Sequence, residues 1–163
     1  MDELLLFIDG SVDNQSGIGF GAYLVISDET LSLEVHKTHI HLKRFEHTSS
    51  TKLELQAILW ALGELHPEDK KVIIHTDSQN LLGLTDRRER LEQNDYRSKN
   101  GKRLDNYTLY QEFYSQTDLM DCVLIKVQGH QPSAGKHDID QFFTLVDRAA
   151  RNAVRKFIGD RSR

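Results

Sequence analysis

Four carboxylates stand where the chain changes character: Asp9 after an apolar run, Glu54 near a helix start, Asp77 after a second apolar run, and Asp147 in the last helical stretch. Each has an ordinary explanation. Asp9-Gly10 reads equally as a turn, Glu54 as the partner of Thr51 in a capping box, Asp77 as the cap of a helix starting at Ser78, and Asp147 as the ion-pair partner of Arg151 one turn later. Gathered at one spot, however, carboxylates repel one another, and a divalent cation relieves that cost. All-oxygen ligation favours a hard ion, Mg²⁺ or Mn²⁺, and no Cys or His spacing suggests zinc. Two such ions about 4 Å apart can activate a water and stabilise a leaving oxygen in phosphodiester hydrolysis.

Gathering them requires a particular set of elements. Leu4–Ile8 reads as a buried strand halted by Asp9-Gly10, and Gly17–Ile26 as a second strand. Leu31–Arg44 alternates apolar and polar residues and reads as a half-exposed third strand, joined to the second by an Asp28-Glu29-Thr30 hairpin. Thr51-Lys52-Leu53-Glu54 opens a helix that continues through Ala57, Trp60, Ala61 and Leu65 and ends before Pro67. Lys71–Thr76 is a fourth strand, Ser78–Leu84 a short helix, Asn106–Tyr114 another helix, and Cys122–Val127 a fifth strand. A last helix starts between Asp138 and Leu145 and runs to about Phe157. The order predicts an α/β fold: a mixed five-stranded sheet, a three-strand antiparallel meander plus two parallel strands, with helices on both faces. Ligands of such open sheets collect at the carboxyl ends of parallel strands, where Asp9 and Asp77 are placed.

Composition narrows the class further. With 163 residues, the chain suits one domain spanning residues 1–163. The formal net charge is −4, yet Thr85–Asp105 holds seven bases against five acids, leaving a locally basic segment on an acidic body. A bulk polycation is excluded; nucleic acid held at one edge is not. The single cysteine, Cys122, lies among Val123, Leu124 and Ile125 and rules out an internal disulfide framework. The N-terminus has no signal-peptide pattern, and no segment approaches the roughly 20 apolar residues that span a bilayer. These features predict a free-standing cytoplasmic protein, away from membranes and monomeric by default.

Five segments together carry a resemblance. Phe7-Ile8-Asp9-Gly10-Ser11, Thr51-Lys52-Leu53-Glu54-Leu55-Gln56-Ala57, Thr76-Asp77-Ser78-Gln79, Gly129-His130 and Val146-Asp147-Arg148-Ala149-Ala150-Arg151 resemble, in order, the motifs of type 1 ribonuclease H. The likeness runs from Leu4 to Val154. It implies a ribonuclease H-like fold and hydrolysis of the RNA strand of an RNA/DNA hybrid. Asp9, Glu54, Asp77 and Asp147 would then be the ligands of two Mg²⁺ ions, with Mn²⁺ as an alternative. His130 would assist proton transfer or product release from a long loop over residues 129–146. Ser49, Ser50 and Thr51 would meet the RNA 2′-hydroxyls, the feature that separates RNA from DNA. Asn14 and Gln79 would reach the minor groove. The basic protrusion over residues 85–105, with Arg87, Arg88 and Tyr96, would meet DNA-strand phosphates. Hydroxyls replace the asparagine common before the second acid, and Tyr96 is the only aromatic of the protrusion. Weak, salt-sensitive binding follows.

Asp140 competes with Asp147 for the last acidic position, because seven residues of helix return both to one face. The Asp-x-x-Ala-Arg pattern favours Asp147. Two other functions stay open: a different nuclease on the same fold (a resolvase or an exonuclease), and a catalytically weak hybrid-binding module.

Overall fold

The computed structural model describes residues 2–27, 32–127 and 138–161. Strands β1 (Glu3–Asp13), β2 (Ile18–Ile26), β3 (His41–Phe45), β4 (Lys71–Thr76) and β5 (Cys122–Lys126) form one sheet in the order β3-β2-β1-β4-β5. β1–β2 and β2–β3 are antiparallel, while β1–β4 and β4–β5 are parallel. Helices α1 (Leu33–Lys37), α2 (Ser50–Glu64), α3 (Gln79–Leu82), α4 (Leu84–Gln93), α5 (Tyr107–Asp118) and α6 (Asp138–Arg161) complete the chain. The expected mixed sheet with helices on both faces is what forms.

Alternation in the central strands divides the interior in two. Leu6 and Ile8 of β1 pack with Leu55, Ile58 and Leu62 of α2 and Phe113 of α5. Leu5 and Phe7 point the other way, onto Phe142, Phe143, Val146 and Ala150 of α6. A strand covered on both faces needs a continuous apolar run, and Leu4–Ile8 supplies one. Each such side chain contributes roughly 1.5–3 kcal/mol when fully buried. The sheet is therefore a rigid platform for whatever its strand ends carry. Among the described residues no helix is long and apolar enough to cross a membrane.

Glycines set how closely α2 approaches. A Cβ on Gly19 would stand 2.8 Å from Leu53 Cδ2 and 3.2 Å from the Ser11 carbonyl oxygen, and one on Gly21 would stand 3.0 Å from Ala57 Cβ. The bare backbone of β2 lets the first turns of α2 lie against it, and Glu54 follows Leu53 directly.

Several sequence expectations need correction. Leu31–Arg44 is not one strand. Ser32 caps α1 by accepting the Val35 N–H at 3.2 Å, and only Phe45-side residues from His41 onward form β3. The alternation there was misleading because a five-residue helix buries a single side chain, His36, whose ring meets Phe142 edge-on at 5.1 Å. β2 and β3 still pair, but α1 intervenes between them; residues 28–31 of the expected hairpin lie outside the described residues. β1 does not stop at Ile8, so Asp9-Gly10 is not a turn. α5 extends to Asp118, four residues beyond expectation. α6 begins at Asp138, within the expected range, so residues 138–146 of the expected loop are helical, and it runs on to Arg161 rather than ending near Phe157.

Candidate active site

The parallel pairing of β1 with β4 ends at Phe7↔His75. Two residues further along each strand stand Asp9 and Asp77. There β1 continues with β2 alone, Asp9 facing Ala22, while β4 stays with β5. The two strands part, and a crevice opens just past the carboxyl end of their parallel pairing. α2 brings Glu54 to this crevice from one side of the sheet and α6 brings Asp147 from the other. All four carboxylates line a single cleft of about 580 Å³, with Ser11, Asn14, Ser50, Ser78, Arg151 and Arg155 on its walls.

Local hydrogen bonds decide between the ordinary readings of these acids. The cap of α2 is Ser49, which accepts from the Lys52 N–H at 3.4 Å, so Thr51 and Glu54 form no capping box. Glu54 instead accepts from Ser78 Oγ at 2.7 Å. Ser78 also caps α3, accepting from the Leu81 N–H at 3.1 Å, so Asp77 is not that cap. Thr76 Oγ1 accepts from the Ser78 N–H at 3.1 Å and fixes the turn. Asp147 does pair with Arg151, at 3.0 Å, as helical spacing suggested.

The electrostatics are those of crowded acids. Burial pushes the Asp9 carboxyl well above the usual carboxylate range, a hydrogen bond with Asp147 adds to the rise, and the charge of Asp77 raises it again. Glu54 is raised by burial and by Asp77, against the lowering effect of its bond from Ser78. An uncompensated carboxylate is therefore disfavoured here, and a hard divalent cation would reverse the preference. The donor set fits such an ion by chemistry and placement. Among the described residues, however, no three carboxylate, histidine or cysteine side chains already converge round one point. Ser78 holds Glu54 and Arg151 holds Asp147, so ion binding requires these side chains to turn.

The expected substrate contacts divide into three groups. Asn14 and Ser50 line the cleft; Ser49, Thr51 and Gln79 are exposed beside it at the starts of α2 and α3. Arg87 and Arg88 are engaged elsewhere. Arg87 donates to the Asn80 carbonyl at 2.6 Å and its Oδ1 at 2.9 Å, tying α4 to α3. Arg88 makes a bidentate pair with Asp118 at 2.6 and 2.8 Å, bonds Glu92 at 2.7 Å, and covers the Tyr114 ring at 4.8 Å. Tyr96 is 6% exposed within the α2–α5 core and offers no ring face to a ligand. In the same protrusion Arg90, Lys99 and Lys102 are exposed and have no ion pair among the described residues. His130 lies outside the described residues, and Asp140 does not line the cleft. Sequence reasoning missed Ser78 and Arg155. The signals for them were adjacency to Asp77, and the i+8 position after Asp147 on the same helix.

Comparison with known proteins agrees with this fold. The RNase H family model matches residues 1–154. No curated protein matches the chain. A crystal structure of prototype foamy virus protease-reverse transcriptase in its native form superposes with a TM-score of 0.70 at 15% identity, covering 91% of this chain. The chain spans 20% of that protein's length. A foamy viral protease-reverse transcriptase in complex with dsDNA superposes with a TM-score of 0.63 at 12% identity, covering 91% of this chain and 92% of that one. These likenesses concern the fold, whereas the family match extends over the strands and helices that carry all four acids. The chain belongs to the RNase H family.

Proposed function

We propose that this chain is an endoribonuclease that hydrolyses the RNA strand of RNA/DNA hybrids. The observation that carries the reading is the meeting of Asp9, Glu54, Asp77 and Asp147 in one cleft, delivered there by two strands and two helices of an RNase H fold. These four side chains would hold two Mg²⁺ ions, or Mn²⁺. When bound, the ions would supply an activated water and stabilise the leaving oxygen. The protein's own part is positioning. The β1–β4 pair brings Asp9 and Asp77 to the same end of the crevice, burial of Asp9 makes the cleft favour a cation, and Ser78 holds Glu54 at the cleft wall until an ion draws it in. Ser49, Ser50 and Thr51 at the start of α2 are assigned to the RNA 2′-hydroxyls, and Asn14 and Gln79 to the minor groove. His130 is assigned proton transfer or product release from its place ahead of Asp147. In the protrusion, Arg90, Lys99 and Lys102 take the phosphate role in place of Arg87, Arg88 and Tyr96. A monomer acting in the cytoplasm remains part of the proposal.

The test is incubation of an end-labelled RNA/DNA hybrid with Mg²⁺, beside duplex DNA, single strands and a four-way junction. Internal cuts confined to the RNA strand of the hybrid are expected. Cutting of the junction instead would make the protein a resolvase. Binding of the hybrid without turnover in Mg²⁺ or Mn²⁺ would leave only the binding-module reading.

A further inference from the structure

The cleft is lined by four acids, yet its proposed substrate is a polyanion. Something on its wall must offset that repulsion where the strand leaves the metal-binding end. α6 has the groups to do so. Val146, Ala150 and Val154 turn inward to the sheet and are buried. The flank beside them carries Asp147, Arg151 and Arg155 at helical i, i+4 and i+8 spacing, and all three line the cleft. The two arginines differ in state. Arg151 is committed to Asp147 at 3.0 Å. Arg155 is exposed and has no ion pair among the described residues.

The direction of α6 places Arg155 further. At its end, Arg161 pairs with Asp13 at 3.5 Å, reaching the β1–β2 turn that also carries Asn14. Arg155 thus stands between the carboxylates and that turn. Eight residues of helix separate it from Asp147, about 12 Å along the axis. A strand advancing roughly 3.4 Å per nucleotide covers that span in a few steps.

We propose that Arg155 is a substrate-binding residue that grips a phosphate of the hybrid a few nucleotides from the point of cleavage, on the cleft wall formed by α6. The inference rests on the hybrid-cleaving reading above and adds a contact to it. An arginine fork can hold two phosphate oxygens at once, and its contact is made equally before and during the reaction. Loss of Arg155 should therefore weaken binding and leave turnover alone.

The experiment compares wild type with Arg155→Ala, Arg155→Lys and Arg148→Ala. Arg148 is exposed on the same helix but does not line the cleft, so its removal changes net charge equally. Hybrid binding is measured in chelator across a salt series, and KM and kcat are measured in Mg²⁺. Arg155→Ala should weaken binding and raise KM about tenfold, with kcat within about twofold and a salt slope shallower by about one. Arg155→Lys should recover part of the loss, and Arg148→Ala should resemble wild type. If the wild type cleaves hybrids but Arg155→Ala matches Arg148→Ala in slope and KM, the inference is overturned and the activity stands. If the wild type neither binds nor cleaves the hybrid, the activity and the inference fall together.

Discussion

Asp9→Asn is expected to lower hybrid cleavage on the order of 10³-fold or more, about 4 kcal/mol of transition-state stabilisation, while making the metal-free protein more stable. The two effects have one cause. Asp9 sits at the centre of the acidic cleft, where burial, the hydrogen bond with Asp147 and the charge of Asp77 all oppose its ionisation. Its folded-state pKa is raised above the unfolded value. Its contribution to stability is therefore complete below the ordinary carboxylate range and is lost as pH rises through the raised value, because the folded state binds more protons there. Asparagine stays neutral, keeps an N–H for Asp147, and escapes that loss. The gain at neutral pH should be about 1–3 kcal/mol, a rise of several degrees in Tm for a chain of this size. Thermal melts in chelator from pH 4 to 8 check it: wild-type Tm should fall with pH more steeply than that of Asp9→Asn. Mg²⁺ should raise the wild-type Tm and have little effect on the variant. A variant less stable than wild type at pH 8 without metal would show that Asp9 is not held against its charge.

That conflict between stability and chemistry also shows why the site was readable from sequence. The apolar runs ahead of the two acids, Leu4–Ile8 and Val72–Ile74, locate themselves in a sheet covered on both faces. A charged residue that follows within a few positions of such a run stands out against it. Glu54 and Asp147 were harder to place, since carboxylates in helices have common alternatives. For Glu54 the question turned on three successive hydroxyl residues. Only the geometry shows that Ser49 rather than Thr51 is the cap, and that Ser78 rather than a backbone N–H engages Glu54.

The misreadings have physical origins of their own. Leu33-Glu34-Val35-His36 alternates as a strand would, but α1 is too short for a 3.6-residue period to declare itself. Tyr96 is surrounded in sequence by charge, so it read as a contact aromatic. It adopts a positive φ of 57°, and its ring joins Tyr110 and Phe113 in the core, a tertiary placement invisible to local pattern. Arg88 read as a phosphate contact; besides the local Glu92 it pairs with Asp118, thirty residues away and invisible to local pattern. Long-range pairing of this kind decides which bases of a basic segment remain available to phosphate.

The choice between Asp147 and Asp140 separates most sharply by mutation. Asp147→Asn is expected to reduce cleavage by on the order of 10²-fold or more, while Asp140→Asn stays within about twofold of wild type. Both lie on α6, seven residues or about 10 Å apart along its axis. Only Asp147 lines the cleft, and only Asp147 among the two acts on Asp9. Asp140 stands toward the start of α6, where its carbonyl accepts from Thr144 Oγ1 at 2.8 Å. Loss of the Asp147–Arg151 pair will not unfold the protein. The pair is partly solvated, with 49% and 26% of the arginine and aspartate side chains exposed, and such pairs contribute about 0–1 kcal/mol. Equal Tm values for the two variants, with cleavage lost in one alone, would tie the effect to the site. Loss of cleavage on Asp140→Asn with activity kept in Asp147→Asn would move the fourth acid two turns up the helix, and the cleft of Asp9, Glu54 and Asp77 would have to close around a different wall.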